Sequence, residues 1–216
     1  VKDTAVLATG KGMGVFQNEF QKSYIKIVSI EDGILKFNEN VKKEIRPMIG
    51  VIGVAPEEGE VNCGCPGSHG GNMDNNMIGE GTDIYFPVFT KGALLAMGDV
   101  HAIMGDGEVC VTGAEVSAKI TVKVEVIKKL NIRNPILKND KVLSTIASDE
   151  DLDTAVEMSL LDMLHLLDGK VKVRKEELVM LFSLFGNTEI CQIVDPKKTA
   201  RFVLPKNILK NIGCNL

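Results

Sequence analysis

Apolar residues recur along this chain with two different periods, and the change falls near residue 146. Up to there the apolar runs are short, alternate with polar residues and are separated by Gly, Asn and Pro, the pattern of strands and turns. Thr4–Ala8 reads as a strand. Tyr24–Ile30 and Ile34–Phe37 flank Glu31-Asp32-Gly33, an Asp-Gly hairpin turn. Met48–Val54 follows Arg46-Pro47 as a further strand, and Asp83–Thr90 as another, its Pro87 calling for an edge or a bulge. Leu94–Met97 reads as a strand buried on both faces, and Val109–Val111 resumes that run. Val116–Lys129 shows the most regular alternation: Val116, Ala118, Ile120, Val122, Val124 and Val126 against Lys119, Lys123 and Glu125. That predicts one buried and one wet face.

After Pro135 the pattern changes toward helix. Ser148 is placed to cap a helix whose first turn carries Asp149, Glu150 and Asp151. Its apolar face runs Leu152, Ala155, Val156, Leu160, Met163, Leu164, Leu167, and Gly169 stops it. A second helix, Lys175–Phe185, is apolar nearly all round, which predicts burial between other elements. Glu189–Val194 and Ala200–Leu204, joined by Asp195-Pro196-Lys197-Lys198, form a closing hairpin. The fold class expected is mainly β with a late α+β portion: sandwich- or barrel-like hairpins, then two helices packed on a sheet. A single domain spans 1–216, β-rich over 1–146 and α+β over 147–216.

Composition narrows the function. At 216 residues and 44% hydrophobic the chain can bury a sizeable core, and a net charge of −4 offers no basic footprint for nucleic acid. No apolar run reaches membrane-spanning length. Five cysteines, scattered at 63, 65, 110, 191 and 214, fit reduced thiols in a cytoplasmic protein rather than a disulfide framework. The sequence opens at Val1 directly in a strand pattern, which predicts further residues upstream.

The densest chemistry lies in Gly98–Glu115, GDVHAIMGDGEVCVTGAE. Asp99 and His101 are two apart, so on a strand they leave from one face. The Gly105-Asp106-Gly107 turn lets the chain fold back as a hairpin, aiming Glu108, and with it Glu115, at that pair. Carboxylates around an imidazole suit a divalent metal or acid–base work. Asp106 itself reads as an ordinary solvated turn acid. A second cluster, His69, Asn72 and Asp74 around Gly70-Gly71, sits in the long Pro56–Gly81 loop. A connection of that length is usually functional or disordered. Two polar clusters in apolar surroundings predict one shared pocket. Cys63-Gly-Cys65 with His69 lacks the second ligand pair of a structural zinc corner, and His165 reads as a helix-flank histidine.

PGSHGGNMD at 66–74, IYFPVFTKGALLAMGDVHAIMGDGEV at 84–109 and CQIVDPKKTARFVLPK at 191–206 together resemble the acetamidase/formamidase family. Its members hydrolyse short aliphatic amides to carboxylate and ammonia, on a mainly β fold with late helices. They generally carry a further N-terminal segment, and many have Gln where Met104 stands here. The resemblance implies an amidase acting on small amides of the formamide or acetamide type, metal-assisted, without nucleic-acid or membrane partners, and a homodimer or higher homo-oligomer. Asp74, Asp99 and His101 are the expected metal ligands, with Glu115 a further one. Zinc is the first choice of ion, with manganese or calcium as alternatives. Glu108 is the expected general base, Asn72 or a backbone N–H of the glycine pair the oxyanion donor, and His69 completes the catalytic group. Two other readings use the same residues: hydrolysis of a different amide or a cyclic imide, and a non-catalytic calcium-binding β-domain. Calcium sites are all-oxygen, so an ion ligated by His101 separates the last from the rest.

Overall fold

A computed structural model describes residues 1–214. Two antiparallel sheets and a helical layer account for the architecture. The first sheet contains β1 (Thr4–Thr9), β2 (Tyr24–Glu31), β3 (Ile34–Lys36), β4 (Lys42–Glu44), β5 (Met48–Gly53), β6 (Gly70–Asn72), β8 (Ala96–His101) and β9 (Glu115–Val116), in the order β4-β3-β2-β1-β9-β8-β5-β6. The second contains β7 (Asp83–Tyr85), β10 (Ile136–Lys138), β11 (Val142–Asp149), β12 (Asn187–Gln192) and β13 (Lys198–Pro205), in the order β12-β13-β11-β10-β7. Helices α1 (Leu152–Leu167), α2 (Lys175–Phe185) and the short α3 (Lys206–Asn211) all fall late in the chain. The mainly β, late-helix expectation holds, with one helix more than the sequence pattern showed.

Strand alternation divides the second sheet's side chains between two cores. Phe202 and Leu204 of β13 and Leu143 of β11 face the helices and pack with Met163, Leu167, Leu178 and Phe182. Ile146 of β11, with Leu137 of β10, faces the other way and meets Ile52 of the first sheet and Met73 and Ile78 of the connection that follows β6. Arg201 pairs across the ladder with Ile146, so it too points from β13 toward the first sheet. The space between the sheets is therefore where the polar residues of both collect.

The β2–β3 hairpin forms as the Asp-Gly signal predicts, with φ of 50° at Asp32 and 77° at Gly33. Several sequence expectations are corrected. Of Val116–Lys129 only Val116 is strand. The last bond to β1 runs from Lys2 N to Ser117 O, and Val124 and Val126 are 66% and 83% exposed. Alternation supplies a face, but a strand also needs a neighbouring edge. Leu94–Met97 becomes strand only from Ala96, because Ala93 and Leu94 have positive φ and turn the chain. Asp83–Thr90 shortens to Asp83–Tyr85 before the Pro87 segment. Val109–Val111 is a turn, not a strand; the chain returns to β8 later, at β9. Inside the Pro56–Gly81 connection, Gly70–Asn72 forms β6.

The helix corrections have equally local causes. Ser148 lies in β11, bonded to Thr199, and the N-cap of α1 is Asp151, whose carboxylate accepts from Thr154 N at 2.8 Å. Helix α2 has the expected bounds but is not encircled. It buries Leu178 and Phe182 and leaves Met180 and Leu184 exposed.

Gly186, which ends α2, is packed against the Phe202 ring so closely that a Cβ there would overlap it. Gly186→Ala is expected to cost about 1–3 kcal/mol through overpacking, read as a lower thermal midpoint. An unchanged midpoint would mean that the α2–β13 contact has slack.

Candidate active site

The cluster forms where β5, β8 and β9 run side by side between the sheets. Asp99 and His101 leave β8 on the face that carries Met97 into the inter-sheet core. His101 is opposite Met48 on β5 and opposite Glu115 on β9. Its ring is 1% exposed. His101 Nε2 lies 3.1 Å from Glu115 Oε1, 3.4 Å from Asp99 Oδ1 and 4.0 Å from Glu108 Oε1. Nδ1 lies 3.8 Å from Asp74 Oδ1. Four acids, three from the 98–115 stretch and Asp74 from the connection before it, thus surround one buried imidazole.

The expectation of one shared pocket is met through Asp74. The rest of the second cluster divides. Asn72 Nδ2 donates to Asp195 Oδ2 at 2.8 Å. His69 is half-buried against the glycine backbone, with Lys197 near enough to act on its charge, and lies outside both groups of ligand atoms. Glu108 does follow the Asp106-Gly107 turn, and the chain does fold back, β9 pairing antiparallel with β8, but across a wide loop and not a tight hairpin at 105–107. The loop is tied to the second sheet, with Gly107 N donating to Cys191 O at 2.8 Å and Ile193 N to Gly107 O at 3.2 Å. Asp106 is no free turn acid: it accepts from Arg201 and Asn76.

Three of the four acids sit on left-handed backbone, with φ of 41° at Asp74, 56° at Asp99 and 44° at Glu108. Such conformations are costly for residues with a Cβ and persist only where the surroundings impose them.

Two features fit this cluster to a cation. Asp74 Oδ1 and His101 Nδ1 are buried with no hydrogen-bond partner, which is expensive unless something else is to be bound. Glycines also keep the space open. A Cβ on Gly50 would lie 2.5 Å from Asp74 Oδ1 and 2.6 Å from Asp99 Oδ2, and one on Gly113 would lie 2.5 Å from His101 Nδ1. Single donor atoms of Asp74, His101 and Glu108, and of Asp99, His101 and Glu115, lie within 4.8 Å of one another. Carboxylate oxygens with imidazole nitrogen form a set suited to zinc or a related divalent ion. Cys63 and Cys65 take no part in either group.

In the metal-free chain the crowding shows as proton uptake. Burial, then the Asp74 charge, pushes Glu108 up to about 9. Burial pushes Asp74 up to about 6 despite His101 beside it. Burial would lower His101, but the bonds from Asp99 and Glu115 and the surrounding charge outweigh it and carry it up to about 10. Asp99, bonded to His101, is held down. Burial and the Asp74 charge raise Asp195 to about 7. Asp195 and Arg201 are the site-facing residues that sequence reasoning missed. Asp195 resembled a turn acid before proline. Arg201 did leave a signal, as the one cation inside the apolar run Ala200–Leu204.

A mainly β fold with a carboxylate–imidazole cluster between its sheets is the class that these features define. The family model for the Acetamidase/Formamidase family matches residues 62–211, and the chain belongs to that family. Over its whole length it superposes on a predicted acetamidase/formamidase from Thermoanaerobacter tengcongensis, with 54% identity and a TM-score of 0.96, covering 72% of that chain. An acetamidase from Bacillus halodurans gives 39% identity and a TM-score of 0.95, over 99% of this chain and 72% of that one. Among curated enzymes, a formamidase from Methylophilus methylotrophus is 39% identical over 85 residues, 37% of this chain and 21% of the enzyme. An acetamidase from Mycolicibacterium smegmatis is 42% identical over 64 residues, 29% of this chain and 16% of the enzyme. The chain therefore aligns with about a fifth or less of these curated relatives.

Asp74, Asp195, Glu108 and His101 all bind protons more tightly in the folded than in the unfolded chain, with values raised to about 6, 7, 9 and 10. Their contribution is thus largest at low pH and is lost as pH rises through those values; Asp99 and the half-buried His69 are shifted the other way and temper the trend without reversing it. The metal-stripped chain should melt at progressively lower temperature as pH increases from about 5 to about 9, and zinc should flatten that decline. A melting temperature that rises over this range would contradict the arrangement of charge described.

Proposed function

We propose that this chain carries the catalytic core of an amidase that hydrolyses short aliphatic amides of the formamide or acetamide type to carboxylate and ammonia. The observation that carries this reading is the single buried imidazole enclosed by four carboxylates in a chain of the Acetamidase/Formamidase family. Asp74, Asp99 and His101, with Glu115, would hold a divalent cation, zinc in the first instance. Such an ion supplies polarisation of the amide carbonyl and acidification of the attacking water.

The chain's own groups do the rest. Glu108 takes a proton from the attacking water and returns it to the departing nitrogen, so that ammonia leaves in place of an amide anion. Its burial serves this role, since a carboxyl shifted upward is a stronger base when ionised. Asn72, whose Nδ2 is oriented by Asp195, is the donor for the carbonyl oxygen as it gains charge; of the glycine pair, the Gly70 N–H is already given to Gly67 O. His69 is a further polar group beside those glycines and completes the set for substrate contact. Cytoplasmic residence and self-association belong to the same reading. They are supported by free thiols at Cys63, Cys65, Cys110 and Cys191, and by exposed apolar side chains such as Ile25 and Ile27 on β2. Among the described residues no helix is long and apolar enough to cross a membrane.

Ammonia release from a series of short amides, with stripped and zinc-reconstituted protein, tests the reading. Activity that needs the metal and falls with acyl length supports it; inactivity of the reconstituted chain toward every amide counts against it. Two variants separate the roles. Glu108→Gln should keep zinc and lose about 10²–10⁴ in kcat, the usual contribution of acid–base catalysis. His101→Ala should lose zinc, and activity with it. A Glu108→Gln protein with near-normal turnover would move the base elsewhere.

A further inference from the structure

The strained segments that carry Asp74 and Glu108 share one anchor on the opposite sheet. Arg201, 2% exposed on β13, spreads its guanidinium over four loci. Nε donates to Glu189 Oε2 at 2.7 Å; Nη1 donates to Asn75 Oδ1 at 2.8 Å and to Asn76 Oδ1 at 3.4 Å; Nη2 donates to Asp106 Oδ2 at 2.6 Å. Asn76 Nδ2 closes the triangle by donating to Asp106 Oδ1 at 2.8 Å. Asn75 and Asn76 directly follow Asp74, and Asp106 precedes Glu108 by two residues. Glu189 is Arg201's cross-strand partner on β12, which keeps the guanidinium in position from its own sheet.

We infer that Arg201 is a positioning residue, whose fork locks the Asp74 and Glu108 segments together and so fixes these two acids on either side of His101. The inference rests on the proposed function only in what the two acids are held for. Arginine suits the task because its donors lie in a rigid plane and reach several acceptors at once, whereas a lysine ammonium is a single point charge on a flexible stem. The clamp also explains how left-handed backbone at Asp74 and Glu108 persists: the segment beside each is held from outside its own sheet.

Two conservative variants test it. Arg201→Lys keeps the charge and loses the fork. Asp106→Asn keeps an oxygen for Asn76 and turns an amide N–H toward Arg201, donor against donor, at a side chain that is 39% exposed and so tolerant of change. Three readouts are taken on each: amide hydrogen exchange, zinc affinity by chelator competition, and kcat/KM on formamide. Exchange should quicken in peptides spanning 74–79 and 103–111 while the β2–β3 hairpin and α1 stay as in the parent. Zinc affinity should fall about 10–100-fold, the usual effect of removing a group that orients ligands, and kcat should fall while KM moves less. The double variant should be no worse than the weaker single one, since both open the same clamp. Unchanged exchange in both segments, faster exchange everywhere, or losses that multiply in the double variant would overturn the inference. If the parent chain binds no zinc and cleaves no amide, the proposed function fails, and the exchange data still decide the clamp.

Discussion

Burying Asp74, Glu108 and His101 together, with the partly exposed Asp99, Glu115 and Asp195 beside them, is the constraint on which this structure turns. Two like charges about 4 Å apart repel by about 4 kcal/mol at the effective dielectric of a protein near its surface. Burial and the neighbouring charge favour a proton on Glu108, pushed up to about 9, and a charged His101, carried up to about 10, offsets the acids around it. A divalent cation would relieve the repulsion differently, by allowing the carboxylates to ionise. The glycines at 50 and 113, where a Cβ would press on the acids or the imidazole, are consistent with a cluster shaped around something other than its own side chains.

The fold meets the constraint by dividing the labour between its two sheets. The first sheet supplies the imidazole and two acids from β8 and β9, where pairing across the ladder sets His101 against Glu115. The second reaches over with what strands of the first cannot offer. The Gly107 bridge to β12 holds the Glu108 segment, Asp195 orients Asn72, and Arg201 ties Asn75, Asn76 and Asp106 together. The apolar contact of Ile146 and Leu137 with Ile52, Met73 and Ile78 holds the sheets in register for these polar bonds. Losing that packing would loosen the cluster without touching any of its members.

Much of this was legible in the sequence where the signal is local. The Asp-Gly hairpin, the bounds of α2, the end of α1 and the common face of Asp99 and His101 follow from period and turn chemistry alone. What was not legible depends on partners remote in sequence. Val116–Lys129 alternates as a strand should, yet past Ser117 it makes no ladder bond. β11 hid because it is buried on both faces and carries Ser144, Thr145 and Ser148 within it, which imitates the polar lead-in to a helix. The fold-back that aims Glu108 and Glu115 was foreseen, but its width and the bridge from Gly107 to β12 that holds the Glu108 loop were not. Asp195 and Arg201 act across more than ninety residues of chain, on Asn72 and Asp106, and no spacing rule spans that distance.

X-ray absorption at the zinc edge of the reconstituted chain puts the central claim, that this cluster is a divalent metal centre, to its most direct test. The structure predicts a mixed shell of imidazole nitrogen and carboxylate oxygen at about 2.0–2.2 Å, with no sulfur at about 2.3 Å. A sulfur shell, which would place the ion at Cys63 and Cys65, or a chain that retains no zinc at all, would contradict it.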